Sequence, residues 1–131
     1  MNKIIKMLFF TVIGLLLLVC LLFGYTDQSM DDLKSKYGQS PSAFVELDGM
    51  NVHYRDEGNP LDSLPIVLIH GTASSLHTFD AWAATLKKNK RVVRMDLPAF
   101  GLTGPFPDRN YSIEHYVSFI EDFLASRGIQ H

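Results

Sequence analysis

The chain has 131 residues, 47% of them hydrophobic, and a formal net charge of −2. That length holds one domain at most. Its 12 basic and 14 acidic residues form no basic cluster, which argues against nucleic acid as a partner, and a single cysteine permits no internal disulfide.

Met7 to Thr26 carries no charge. A helix of that length rises about 30 Å, enough to cross the apolar core of a bilayer. Residues 1–26 are therefore predicted to be an N-terminal transmembrane anchor whose partner is membrane lipid. Phe23-Gly-Tyr-Thr-Asp-Gln28 offers no pair of small residues for a signal peptidase. Cys20 has bulky Val19 before it and Leu21 after it, so it reads as a small apolar residue of the helix and not as a lipidation site. Lys3 and Lys6 precede the segment and Asp27, Asp31 and Asp32 follow it. Basic flanks stay cytoplasmic, which predicts a single pass with the N-terminus inside and the following domain outside.

Residues 27–42 are polar and read as a stalk, with a short helix over Met30–Tyr37. Ala43–Leu47 and Asn51–Asp56 are rich in strand formers, and Asp48-Gly49 between them signals a tight hairpin turn. Glu57 to Pro60 begins a loop. Ile66–Ile69 is a continuous apolar run, the pattern of a central parallel strand covered on both faces. Phe79, Trp82, Ala83 and Leu86 fall on one side of a predicted helix over Thr78–Lys88, with Trp82 in the core. Arg91–Asp96 is the next strand. Ser112 is a predicted N-cap for a helix whose apolar stripe is Ile113, Tyr116, Val117, Ile120, Phe123 and Leu124, ended by Gly128. The last residues, from Ile129 to His131, lie where another strand would begin. A hairpin followed by strand, helix, strand, helix predicts an α/β fold with a mostly parallel sheet.

Two segments sit at the carboxyl ends of predicted strands, where open α/β sheets bind ligands. The first is His70-Gly71-Thr72-Ala73. Glycine permits a sharp turn, and a backbone N–H just after it can face a developing oxyanion, a contact worth about 3 kcal/mol in a transition state. The second is Asp96-Leu-Pro-Ala-Phe-Gly101, continuing through Gly104 and Pro105 as a stiff, bending loop. His70 and Asp96 read as organisers of these loops through hydrogen bonds. Ser74 and Ser75 read as loop or cap serines, not nucleophiles. His53, His115 and His131 are far apart and lack metal-ligand spacing. Neither a metal nor another cofactor is implied, and there is no glycine-rich nucleotide fingerprint.

Together these residues resemble the α/β-hydrolase superfamily over residues 43–131, the N-terminal part of its catalytic domain. The match is His70-Gly71-Thr72 to the family's oxyanion-hole H-G-x and Asp96-Leu-Pro-Ala-Phe-Gly101 to its D-x-x-G-x-G loop. The resemblance implies that Thr72 supplies one backbone N–H of an oxyanion hole, with Ala73 the neighbouring candidate. His70, Gly71, Asp96 and Gly101 would support it. Ala99 departs from the family, which usually has glycine there.

The family's nucleophile elbow, G-x-S-x-G, and the acid and histidine that follow it are absent. No residue of this chain is therefore assigned a catalytic role. Three readings stand. The chain is a truncated, membrane-anchored hydrolase that would act on an ester, an amide or another small-molecule bond when complete, with serine or aspartate as the nucleophile. Otherwise it is a non-catalytic, membrane-tethered interaction module, or one half of a split hydrolase. The missing neighbour would leave Ile66–Ile69 as an unpaired apolar edge, a liability in water.

Overall fold

The computed structural model describes residues 2–24 and 27–129. Thr26, the end of the expected anchor, and Gln130 and His131, where a further strand is expected, lie outside them. Helix α1, Lys3–Phe23, has 21 residues, a mean hydropathy of 2.8 over its apolar window and no buried side chain. It is long and apolar enough to cross a membrane, and Cys20 lies within it.

Helix α2 is Met30–Tyr37. The Ser29 hydroxyl caps it by accepting the Asp32 N–H at 3.1 Å, and Asp31 and Asp32 suit the positive end of the helix dipole.

Strands β1 (Ala43–Leu47) and β2 (Met50–Glu57) form the expected hairpin. Asp48 and Gly49 have φ of 51° and 73°. Both lie in the left-handed region, as a two-residue turn matched to strand twist requires. Strands β3 (Ile66–Ile69) and β4 (Val92–Met95) complete a sheet of order β1-β2-β4-β3. β1 with β2 and β2 with β4 are antiparallel, whereas β3 runs parallel to β4, Ile66 opposite Val92 and Ile69 opposite Met95. The class is α/β as expected, but the sheet is mixed and not mostly parallel. The hairpin accounts for half of its strands, and β2 meets β4 head to tail.

The crossover from β3 to β4 is a 3₁₀ turn, Leu76–Phe79, running into α3, Asp80–Leu86. Helix α4, Ile113–Ser126, follows the loop after β4. Its start is the expected one: the Ser112 hydroxyl accepts the His115 N–H at 3.3 Å. Gly128 takes φ 69° just past its end.

The two faces of the sheet differ. Met50 and Val52 of β2 and Val93 and Met95 of β4 pack with Phe106, Phe119 and Phe123 in the apolar core on the α4 side. The opposite face carries His53, Arg55 and Glu57 of β2 and Arg94 of β4, and it meets α3. Arg94 is buried, with its guanidinium 2.8 Å from Glu57 and 2.6 Å from Asp80.

Three departures from expectation follow, the first of them from that polar face. Trp82 is 67% exposed and not core, because α3 meets the sheet through Ala83 and the Asp80 carboxylate. The stripe of α4 is rotated: Phe119 and Phe123 are buried, while Ile113 is 78% exposed and Val117 is exposed. Phe106, inserted from the loop before α4, lies edge-on to Phe119 at 5.9 Å and draws that side of the helix inward. Strand β3 is half-buried and not covered on both faces, and its outer side is the open apolar edge expected of it. Among the described residues it pairs with β4 alone, and Ile69 is exposed.

Candidate functional site

The loops after β3 and β4 lie at the same end of the sheet, since the two strands are parallel and in register at Ile69 and Met95. His70 joins them. It is buried, and its Nε2 accepts the Leu97 N–H at 3.0 Å. An accepting Nε2 leaves the ring proton on Nδ1, which donates to the Gly71 carbonyl at 2.9 Å. The ring also meets Phe100 edge-on at 5.6 Å. Hydrogen bonding, the role expected of His70, thus pins both loops.

Gly71, Thr72 and Ala73 are exposed. Ala73 has φ 56°, a left-handed conformation that costs an alanine about 1 kcal/mol. Among the described residues, neither the Thr72 nor the Ala73 N–H donates to another group. The Ser74 hydroxyl bonds to that of Thr78, in keeping with a loop serine.

Asp96 is fully buried and has three donors. One carboxylate oxygen accepts His53 Nδ1 at 2.7 Å and the Leu102 N–H at 2.8 Å, and the other accepts the Leu76 N–H at 2.7 Å. Burial alone would raise its pKa. The hydrogen bonds from His53, Leu76 and Leu102 outweigh that and hold the carboxyl below its ordinary value. One side chain therefore ties together β2, the 3₁₀ turn and the loop after β4. Gly101 has φ 53°, and a Cβ there would collide with the Asp96 carboxylate, so glycine is required twice over. Ala99 takes φ 69°, where glycine would be free of strain. Its N–H is nevertheless bonded to the Gly104 carbonyl at 2.9 Å.

The His53–Asp96 pair and the Arg94 cluster are absent from the sequence reading. A signal existed: His53, Arg55 and Glu57 alternate with Val52 and Tyr54, placing a polar row on one strand face. Burial pushes the Glu57 carboxyl up, and its contacts with Lys87 and Arg94 reverse the shift and hold it below its ordinary value.

Similar folds occur among solved structures. The Cif epoxide hydrolase of Acinetobacter nosocomialis superposes with a TM-score of 0.63 at 25% identity, over 77% of this chain and 35% of its own. A membrane phospholipase A, described as a bacterial virulence factor, gives 0.66 at 22% identity, over 92% and 41%. An α/β-hydrolase fold protein of Burkholderia ambifaria gives 0.59 at 24% identity, over 67% and 31%. The fold is that of the α/β-hydrolases. His70 and Asp96 lie at the end of the sheet from which the loops after β3 and β4 leave. The human mesoderm-specific transcript homolog protein is 29% identical over 94 residues, 70% of this chain and 28% of its own length. No protein-family model matches. The chain thus spans 28% of that curated relative and 31% to 41% of these structures.

Proposed function

We propose that this chain is the membrane-anchored, oxyanion-binding portion of an α/β-hydrolase. The observation that carries the reading is the turn Gly71-Thr72-Ala73. It is clamped by His70 to the loop after β4, yet the N–H groups of Thr72 and Ala73 donate to no group among the described residues. Preorganised, unspent donors at the carboxyl end of a strand are suited to stabilising an oxyanion. The Thr72 N–H is the principal donor and Ala73 the neighbour.

The nucleophile, its acid and its histidine come from polypeptide outside these residues. The open outer edge of β3 supports completion by a further strand. The substrate is a small molecule with an ester or amide bond attacked by serine, or an epoxide or carbon–halogen bond attacked by aspartate. Helix α1 holds the domain at a bilayer, N-terminus cytoplasmic and domain outside.

The test compares ester turnover by the purified chain in lipid nanodiscs with that of a fusion of residues 1–129 to the nucleophile-bearing remainder of the membrane phospholipase A. The chain alone stays at background and the fusion hydrolyses p-nitrophenyl butyrate. Turnover by the chain alone, undiminished when residues 70–73 are scrambled, would contradict the proposal.

A further inference from the structure

Three buried side-chain polar atoms have no partner among the described residues, and two of them belong to neighbouring imidazoles: Nε2 of His53 and Nε2 of His77. His53 is fully buried on β2, on the sheet face that meets α3. His77 lies on the 3₁₀ turn with 24% of its side chain exposed, so the edge of the pair is within reach of solvent. The ring centres stand 6.0 Å apart, with the planes tilted by 36°. Phe44 stacks on His53 at 5.0 Å and Tyr37 meets His77 at 5.6 Å, which holds both rings in place.

Each ring has its other nitrogen on a carboxylate. His53 Nδ1 lies 2.7 Å from Asp96, and His77 Nδ1 lies 3.1 Å from Asp80. Both carboxylates are accepting anions: Asp96 also takes the Leu76 and Leu102 amides, and Asp80 takes the Arg94 guanidinium at 2.6 Å. Nδ1 of each ring therefore carries the proton, and each Nε2 presents a lone pair. Two buried acceptors side by side cost free energy unless one electron-poor partner serves both. A carboxylate on the opposite ring N–H is also the usual support of a metal-ligating histidine.

Distance and donor count agree on the kind of ion. With a metal–nitrogen bond of about 2.0 Å, two ring centres on one ion stand about 5.1 Å apart at a tetrahedral angle and about 6.3 Å apart at a linear one. The observed 6.0 Å is near the linear limit. Both oxygens of Asp96 and of Asp80 are engaged by other donors, which leaves two neutral nitrogens as the donor set. The described residues hold no group of three or more His, Cys, Asp or Glu suited to a metal. Zinc in a structural site takes four ligands, whereas a monovalent d¹⁰ ion accepts two, and imidazole suits copper. We propose that His53 and His77 bind one copper(I) ion through their Nε2 atoms. The ion ties β2 to the turn that follows the Gly71-Thr72-Ala73 loop. The proposal depends neither on the oxyanion assignment nor on the anchor.

The experiment titrates silver(I), a redox-inert substitute for copper(I), into the full chain in nanodiscs and follows the imidazole nitrogens by ¹⁵N NMR. The C20S form is used, because the Cys20 thiol is exposed and free. Nε2 of His53 and Nε2 of His77 should shift together and saturate at one silver per chain. His70, whose Nε2 is spent on the Leu97 N–H, should stay where it is. Copper(I) kept reduced by ascorbate should move the same two nitrogens. Silver should also raise the urea midpoint of C20S. In C20S/H77F, which keeps a ring against Tyr37, that rise should vanish and silver affinity at His53 should fall at least about tenfold. C20S/H77Q supplies the same comparison should the phenylalanine form fail to fold. Both Nε2 resonances unmoved by silver, the result of a buried water donating to both, would overturn the proposal. A shift of one ring alone would overturn it as well.

Discussion

His70 reaches across from the end of β3 and accepts the backbone N–H of Leu97, just past β4, at 3.0 Å. One neutral imidazole therefore sets the spacing of the two loops on which the functional reading rests. Its other nitrogen holds the Gly71 carbonyl, fixing the direction of the peptide that precedes Thr72.

His70→Ala should release both loops. The Leu97 amide loses its acceptor inside a half-buried region, a cost of about 1–3 kcal/mol. Hydrogen exchange at Leu97 should accelerate at least tenfold in H70A, while exchange in β1 and β2 stays as it was. Unchanged protection at Leu97 would show that the bond does not order the loop.

Asp96 governs acid stability. Burial would raise its carboxyl, but the donors around it hold it below the ordinary value of about 3.9. A carboxyl depressed in the folded state contributes stability that is complete above its unfolded pKa and is lost as pH falls through the folded one. Stability should decline from about pH 5 downward. D96N should lose about 1–3 kcal/mol at neutral pH, since donors sit on both carboxylate oxygens and the amide NH2 must face at least one of them, and should show a flatter acid limb. Urea midpoints at pH 7, 5 and 3.5 measure both effects.

Ala99→Gly should stabilise the fold. At φ 69° the alanine bears about 1–2 kcal/mol of left-handed strain, against roughly 0.4–1 kcal/mol of extra unfolded-state freedom for glycine. A net gain of about 0.5–1 kcal/mol is expected, read as a higher urea midpoint with an unchanged slope.

Trp82→Ala should change stability by no more than about 0.5 kcal/mol, because the ring is mostly solvent-exposed. Ala83→Leu on the next position should cost about 1–3 kcal/mol by overpacking the contact of α3 with the sheet. Thermal melts of the two variants together decide which side of the helix faces inward.

The hairpin, the cap at Ser112 and the two motif loops were legible because each depends on local chemistry. Asp48-Gly49 demands its turn, and Ser112 demands its helix. Trp82 misled because apolar periodicity assumes an apolar surface opposite, and this sheet face is built from His53, Arg55, Glu57 and Arg94. That row follows from strand period alone, but its partner Asp80 comes from a different element, a pairing that only the tertiary structure brings together. Phe119 entered the core for a similar reason, through the Phe106 ring supplied by a distant loop. The His53–Asp96 pair joins β2 to the residue just past β4, far apart in sequence, and no spacing announces it. His70 was legible as an organiser but not its target, since Leu97 N–H carries no side-chain signature.

The most direct test of the oxyanion assignment removes the Thr72 N–H without disturbing its side chain. Threonine at 72 is replaced by its α-hydroxy acid in the fusion carrying a nucleophile, which turns one backbone amide into an ester. The account predicts that kcat for p-nitrophenyl butyrate falls by about 10²–10³ with little change in KM. An active fusion whose kcat is indifferent to the loss of that N–H would contradict it.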